Sequence, residues 1–330
     1  MTTNTLAGSA GRAWWRLPQR HVPVLATLAL LLVMYGIGVS QYRAFSGPQV
    51  VFNIFIDNGF LLVVAVGMTF VILTGGIDLS VGSVVAMTAM VSASLLGNGL
   101  HPALVLVIAL LIGPALGFAM GCVIHFFDIQ PFIVTLAGMF FARGLCTWIS
   151  TTSVPITDGF WTSMAQERIR LGESFVSYSV LIALAVVLVA AYTLAYTRLG
   201  RNVYAVGGNP QSALLMGLPV GRTKIAVYTV SGLCSAIGGI LLSFYTLSGA
   251  PLIAVGMELD VIAAVVIGGT LLTGGSGYVF GTVLGVLVLG VIQTLITFDG
   301  SLNSWWTKIV IGGLLFAFIL LQRLVGIRKK

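Results

Sequence analysis

Few side chains in this sequence can do chemistry, and most of them stand alone in apolar runs. Asp78 follows two glycines in ILTGGIDLSVGSV (72–84), and Arg143 sits inside MFFARGLCTWI (139–149). Asp57–Asn58 and Trp305–Trp306 lie where apolar runs begin. A lone ionisable group in such a run either serves a transport route or is tied to a structural partner. Asp78 could also cap the helix that resumes after the break, as could Ser80. Gly75 and Gly76 can take the left-handed backbone angles that stop a helix. Other chemistry is missing. No GxxxxGK[ST] phosphate loop and no HExxH occur. His21, His101 and His125 are far apart, and Cys122, Cys146 and Cys234 show neither metal-ligand nor disulfide spacing. No catalytic constellation, and hence no enzyme, can be argued.

The elements that hold these residues follow from composition. The chain has 330 residues, 58% of them hydrophobic and 8% charged. A soluble domain carries roughly 25% charged residues. Apolar runs recur along the whole length, without the alternation of a β-barrel, and each can cross a bilayer core of about 30 Å as a helix. The fold class is therefore all-α, a polytopic membrane bundle of about ten helices. The expected helices are 22–41, 55–73, 79–96, 103–125, 131–150, 176–197, 225–247, 258–272, 278–297 and 305–322. A polar stretch fills 153–175 and a basic loop fills 198–224. The organisation reads as an N-terminal segment (1–21), one transmembrane domain (22–325) and a basic tail (326–330).

The net charge of +7 does not indicate nucleic-acid binding, because the basic residues lie between apolar runs. Of the 16 lysines and arginines, eleven fall in three segments on one side of a ten-helix count. These are Arg12, Arg16 and Arg20; Arg198, Arg201, Arg222 and Lys224; and Arg323, Arg328, Lys329 and Lys330. The positive-inside rule then places both termini in the cytoplasm. Glu258, Asp260 and Asp299 fall near the outer side of that count, with Asp57–Asn58 and Trp305–Trp306. Aromatic faces beside polar groups suit a sugar, and tryptophans also serve as interfacial anchors. Arg143 either snorkels to the outer interface or fixes a neighbouring element.

Two further patterns stand out. Leu73-Thr74-Gly75-Gly76 is echoed 199 residues later by Leu272-Thr273-Gly274-Gly275. Duplication and two separate tight hairpins explain it equally well. Small residues also recur at helix-packing spacing, as in Gly113-x3-Gly117-x3-Gly121, Ser231-x3-Ser235-x3-Gly239 and Gly281-x3-Gly285. In the basic loop, Asn209 can cap a helix whose first position is Pro210, and Gly217 can end it. Leu214, Leu215 and Met216 then form an apolar surface outside the bilayer. That surface suits either a groove on a partner or the lipid interface.

ILTGGIDLSVGSV, LGRNVYAVGGNPQSALLMGLPVGRTK (199–224) and VVIGGTLLTGGSG (265–277) resemble the permeases of ribose-type ABC sugar importers, from the second helix to the last. LAGMFF-x-RG (136–144), MELDVIAAVVIGGTLLTGG (257–275) and FDGSLNSWWTKI (298–309) further resemble one of the paired permeases of galactofuranose importers. The resemblance implies a bacterial inner-membrane permease without its own ATPase or cofactor. ATP and Mg would be used by a separate cytoplasmic ABC ATPase, and a periplasmic sugar-binding protein would deliver the substrate. It implies a second permease as partner, suggesting a heterodimer, with a homodimer as the alternative. It also makes Gly208, Asn209, Pro210, Ala213, Leu214, Leu215, Met216 and Gly217 the ATPase-coupling element. The rival reading is a secondary transporter driven by an ion gradient, for which Arg143, Asp78 and Asp57 would have to serve as titratable groups.

Overall fold

A computed structural model describes residues 22–300 and 305–327. The N-terminal segment 1–21, the last residues of the basic tail (328–330) and Asn303 lie outside the described residues. Among the described residues, seven helices are long and apolar enough to cross a membrane. They are α1 (Val22–Gln41), α2 (Pro48–Leu73), α4 (Pro102–Phe126), α5 (Pro131–Ile149), α7 (Tyr178–Tyr196), α10 (Val220–Thr246) and α12 (Val279–Asp299). Two more apolar helices, α3 (Val81–Gly97) and α13 (Trp305–Ile327), complete a polytopic bundle. The polar stretch folds into α6 (Gly159–Gln166) and a hairpin of β2 (Arg168–Leu171) and β3 (Ser174–Ser177). Asp158 caps α6 by accepting from the Phe160 and Trp161 N–H groups at 2.9 and 3.1 Å. A two-residue pair, β1 (Val154–Pro155) with β4 (Ser248–Gly249), ties that region to the end of α10.

The core is α2, buried nearly all round from Leu61 to Leu73, with α10, α12, α7 and α11 (Met257–Ile267) packed around it. Small residues set the closest approaches, as bilayer helices require. Gly113, Gly117 and Gly121 lay α4 directly on the backbone of α10 at Gly232, Tyr228 and Ile225. Gly281 and Gly285 do the same between α12 and α11. The stripes therefore pack helices within the chain.

Three expectations need correction. The second helix begins at Pro48 rather than 55, because proline suits the first helical position. The basic loop is largely helical, with α8 (Arg198–Gly208) and α9 (Pro210–Leu215), and α10 already begins at Val220, so Arg222 and Lys224 lie on its first turns. The expected helix 258–272 stops at Ile267. Gly268 meets the Gly281 carbonyl, and Gly269 has φ +93°. At 11 residues α11 is about 16 Å long, half of a span. The other half is non-helical chain. After α10 ends at Thr246, the segment 248–256 turns back along α3, with Gly249 against Met90 and Ala254 against Gly82. Glu258 consequently lies beside Gly82, near the start of α3, and not at the end where α10 finishes.

Candidate functional site

The residues expected to form the coupling element run from the end of α8 through α9 to Gly217. The Asn209 side chain caps α9, its Oδ1 accepting from the Ser212 N–H at 2.8 Å, with Pro210 next in line. Gly217 ends the unit with φ +77°. Ala213 is buried, while Leu214, Leu215 and Met216 are bare, Leu215 at 90% exposure. α8 is seated firmly by contrast. Val203 and Val206 are buried, and the Tyr204 hydroxyl donates to the Gly277 carbonyl at 2.8 Å. Burial, helped by Tyr278, holds the Tyr204 phenol above its ordinary range, so it stays a donor. Gly207 lies against the Leu73 carbonyl and the Gly275 N–H with no room for a Cβ, and Gly208 lies against Gly275.

That contact joins the two echoed turns. The Gly275 N–H donates to the Leu73 carbonyl at 2.9 Å, so LTGG meets LTGG beneath the end of α8. The copies are not alike. In the first, Gly75 alone is left-handed (φ +79°), whereas Gly274 and Gly275 both are in the second, which also follows a longer loop. Gly76 is required for a different reason from Gly75. A Cβ there would strike the hydroxyl of Tyr228. The end of α8 thus touches both turns, the one between α2 and α3 and the one between α11 and α12.

Asp78 is 1% exposed at the first turn. Its Oδ1 accepts from the Ser80 N–H at 3.0 Å and the Ser80 hydroxyl at 2.6 Å, and its Oδ2 from the Ser231 hydroxyl of α10 at 2.8 Å. The cap position of α3 belongs to Ser80, which makes no side-chain cap bond. Asp78 therefore closes the turn before α3 and fastens it to α10.

Arg143 does not run to a helix end. Its Nη1 donates to the carbonyls of Pro251 and Ile253 at 2.6 and 2.8 Å, pinning the returning segment to α5. That segment holds left-handed Leu247 (φ +47°) and Ala254 (φ +59°), conformations that side chains with a Cβ seldom adopt. Glu258 lies within electrostatic reach of Arg143, and its Oε2 is buried without a partner. Lys308 on α13 pairs with Asp260 on α11 at 2.6 Å.

The remaining candidates are scattered. Asp57 accepts from the Tyr245 hydroxyl at 3.2 Å. Asn58 is buried and donates to the Ile54 carbonyl at 3.0 Å, packed beside Gly290. Trp305 and Trp306 are exposed on the first turn of α13. The structure thus brings Asp57, Asp78, Arg143 and the tryptophans to four separate places. Sequence reasoning missed Tyr204, Tyr228 and Tyr245, whose partners lie far off in the chain.

A membrane bundle with a half-helix and a firmly seated amphipathic connector is the architecture of a transport subunit. The family described as "Branched-chain amino acid transport system / permease component" matches residues 50–319, and the chain belongs to that permease family. It is 47% identical to the inner membrane ABC transporter permease protein YjfF of Escherichia coli (strain K12), over 92% of this chain and 93% of that protein. It is 40% identical to the fructose import permease protein FruG of Bifidobacterium longum, over 98% of each. It is 37% identical to the ribose import permease protein RbsC of Escherichia coli (strain K12), over 94% and 95%. No solved structure matches the chain.

Proposed function

We propose that this chain is a permease subunit of an ATP-driven importer and forms the inner-membrane pathway for a monosaccharide. A periplasmic binding protein delivers the sugar, and a separate cytoplasmic ABC ATPase, using ATP and Mg, drives transport. Galactofuranose is the favoured substrate, on the sequence resemblance; fructose and ribose are the sugars in the names of two relatives. A second permease completes the assembly, as a heterodimer, and both termini face the cytoplasm. The observation that carries the reading is the bare apolar tip of α9 on a helix fixed to the junction of two intramembrane turns. A partner that moves α9 would act on both halves of the bundle. The experiment is uptake into liposomes holding this chain, its second permease and the ATPase, with binding protein present and labelled sugars added. ATP-dependent uptake is expected. Uptake that an ion gradient sustains without ATP contradicts the reading.

A further inference from the structure

At the same end of the bundle as α9, a cavity of about 720 Å³ lies between the last turns of α7, the helix α8 and the start of α12. Leu194 and Ala195 of α7 and Phe280 of α12 form its apolar wall, and Arg201, Tyr204 and Ser276 line its polar part. The two parts sit at different levels. Leu194 and Ala195 belong to a membrane-spanning helix that ends at Tyr196, whereas Arg201 and Tyr204 lie on α8, beyond the span. Exposed Tyr192 and Tyr196, with ring centroids 5.5 Å apart, mark that edge, since tyrosine favours the boundary between lipid and water. Ala195 and Phe280 are themselves exposed on the spanning helices.

The polar part carries positive charge that the protein leaves unbalanced. The Arg201 guanidinium donates to the Tyr196 carbonyl at 3.5 Å, and no carboxylate pairs with it among the described residues. No acidic side chain lines the cavity. The helix α12 begins there, so the positive end of its dipole adds to the same field. Arginine donates to phosphate oxygens in charge-assisted hydrogen bonds, and a serine hydroxyl can add one more. This field disfavours a cation, and a small free anion would leave the apolar wall unused. A soluble protein does not reach Leu194 and Ala195, which lie within a span. What uses both parts together is a molecule with an anionic head and a hydrocarbon tail. Basic pockets between membrane helices hold lipid head groups in this way.

We infer that this cavity binds an anionic phospholipid, its phosphate on Arg201 and its acyl chain along Leu194, Ala195 and Phe280. Such a lipid needs only a bilayer edge at Tyr192 and Tyr196, whatever solute crosses the protein. The test uses the full chain with its ATPase, purified in a mild detergent. Native mass spectrometry compares retention of dioleoylphosphatidylglycerol with that of dioleoylphosphatidylcholine. The anionic lipid should be retained roughly fivefold better, the worth of one basic residue near a lipid surface. Arg201→Gln should abolish that preference, and Arg201→Lys should keep most of it. Ala195→Trp, which fills the cavity from an exposed position on its wall, should lower retention of both lipids. Gel filtration checks that each variant is folded. Equal retention of the two lipids by the unaltered chain, or a preference unmoved by Arg201→Gln, would overturn the inference. Millimolar inorganic phosphate, against chloride at equal ionic strength, separates the two sources of phosphate. The lipid should stay bound, and its displacement by phosphate would show a free-anion site instead. Loss of the ATPase from Arg201→Gln with lipid retention unchanged would give this surface to the ATPase and reject the lipid.

Discussion

The turn at 74–80 and the unit at 209–217 are built alike and placed oppositely. Each has a left-handed glycine, Gly75 or Gly217, and an Asx side chain accepting a nearby backbone N–H. The first is sealed. Asp78 is 1% exposed, and both its oxygens are engaged. The second leaves three apolar side chains uncovered. The same local chemistry therefore makes an anchor where neighbours close over it and a bare apolar tip where none do. Changes in the anchor should lower the amount of folded protein, and changes in the tip should spare folding and break coupling.

The largest expected effects lie in the anchor, at Gly76 and at Asp78. Gly76→Val drives a side chain into the Tyr228 hydroxyl, and overpacking of this kind costs about 1–3 kcal/mol or more. Folded protein in the membrane, measured by detergent-resistant gel filtration, should fall sharply, and Tyr228→Phe in the same chain should restore part of it. Equal loss with and without Tyr228→Phe would show that the contact is not the cause. Asp78→Ala comes next, since it strands two buried serine hydroxyls and a backbone N–H at about 1–3 kcal/mol for each group left unpaired. Asp78→Asn keeps an acceptor and should be milder, with near-normal folded protein and transport. Were Asp78→Asn to fold normally and abolish transport, the anchor would have to be a working charge instead.

Leu215→Glu should leave the amount of folded protein unchanged, because no membrane span is altered. Burying that side chain on a partner contributes about 1.5–3 kcal/mol, so ATPase affinity should drop by roughly ten- to a hundredfold. Co-purification of the ATPase and sugar-stimulated hydrolysis report it. A smaller effect is expected at Arg143. Arg143→Lys keeps the charge but replaces the planar guanidinium, whose Nη1 donates to both carbonyls, with a shorter-reaching ammonium. Uptake should slow with folded protein near normal, and proteolysis at 250–256 should quicken. Unchanged uptake would show that the pin is dispensable.

The contrast also shows what the sequence could disclose. The cap and stop of α9 were legible, because Asn-Pro and a glycine are local signals read directly. The spans were legible from hydropathy. The helix α8 was not, since Gly200, Asn202, Gly207 and Gly208 argue against a helix; the buried face on Val203 and Val206 overrides that propensity. The half-helix α11 was hidden because the apolar run continues past Gly268 and Gly269 to Leu272. The meeting of the two LTGG turns was visible only as an echo. Their hydrogen bond joins residues about two hundred positions apart, and no local pattern encodes it.

The central claim is that the α9 tip is covered by the ATPase. The direct measurement is a cross-link from Leu215→Cys, in a chain whose Cys122, Cys146 and Cys234 are replaced by serine or alanine, carrying a short photoreactive probe. The account predicts a cross-linked product of this chain with the ATPase whose yield changes when ATP is bound. Cross-linking to lipid alone, with the ATPase present and active, would contradict it.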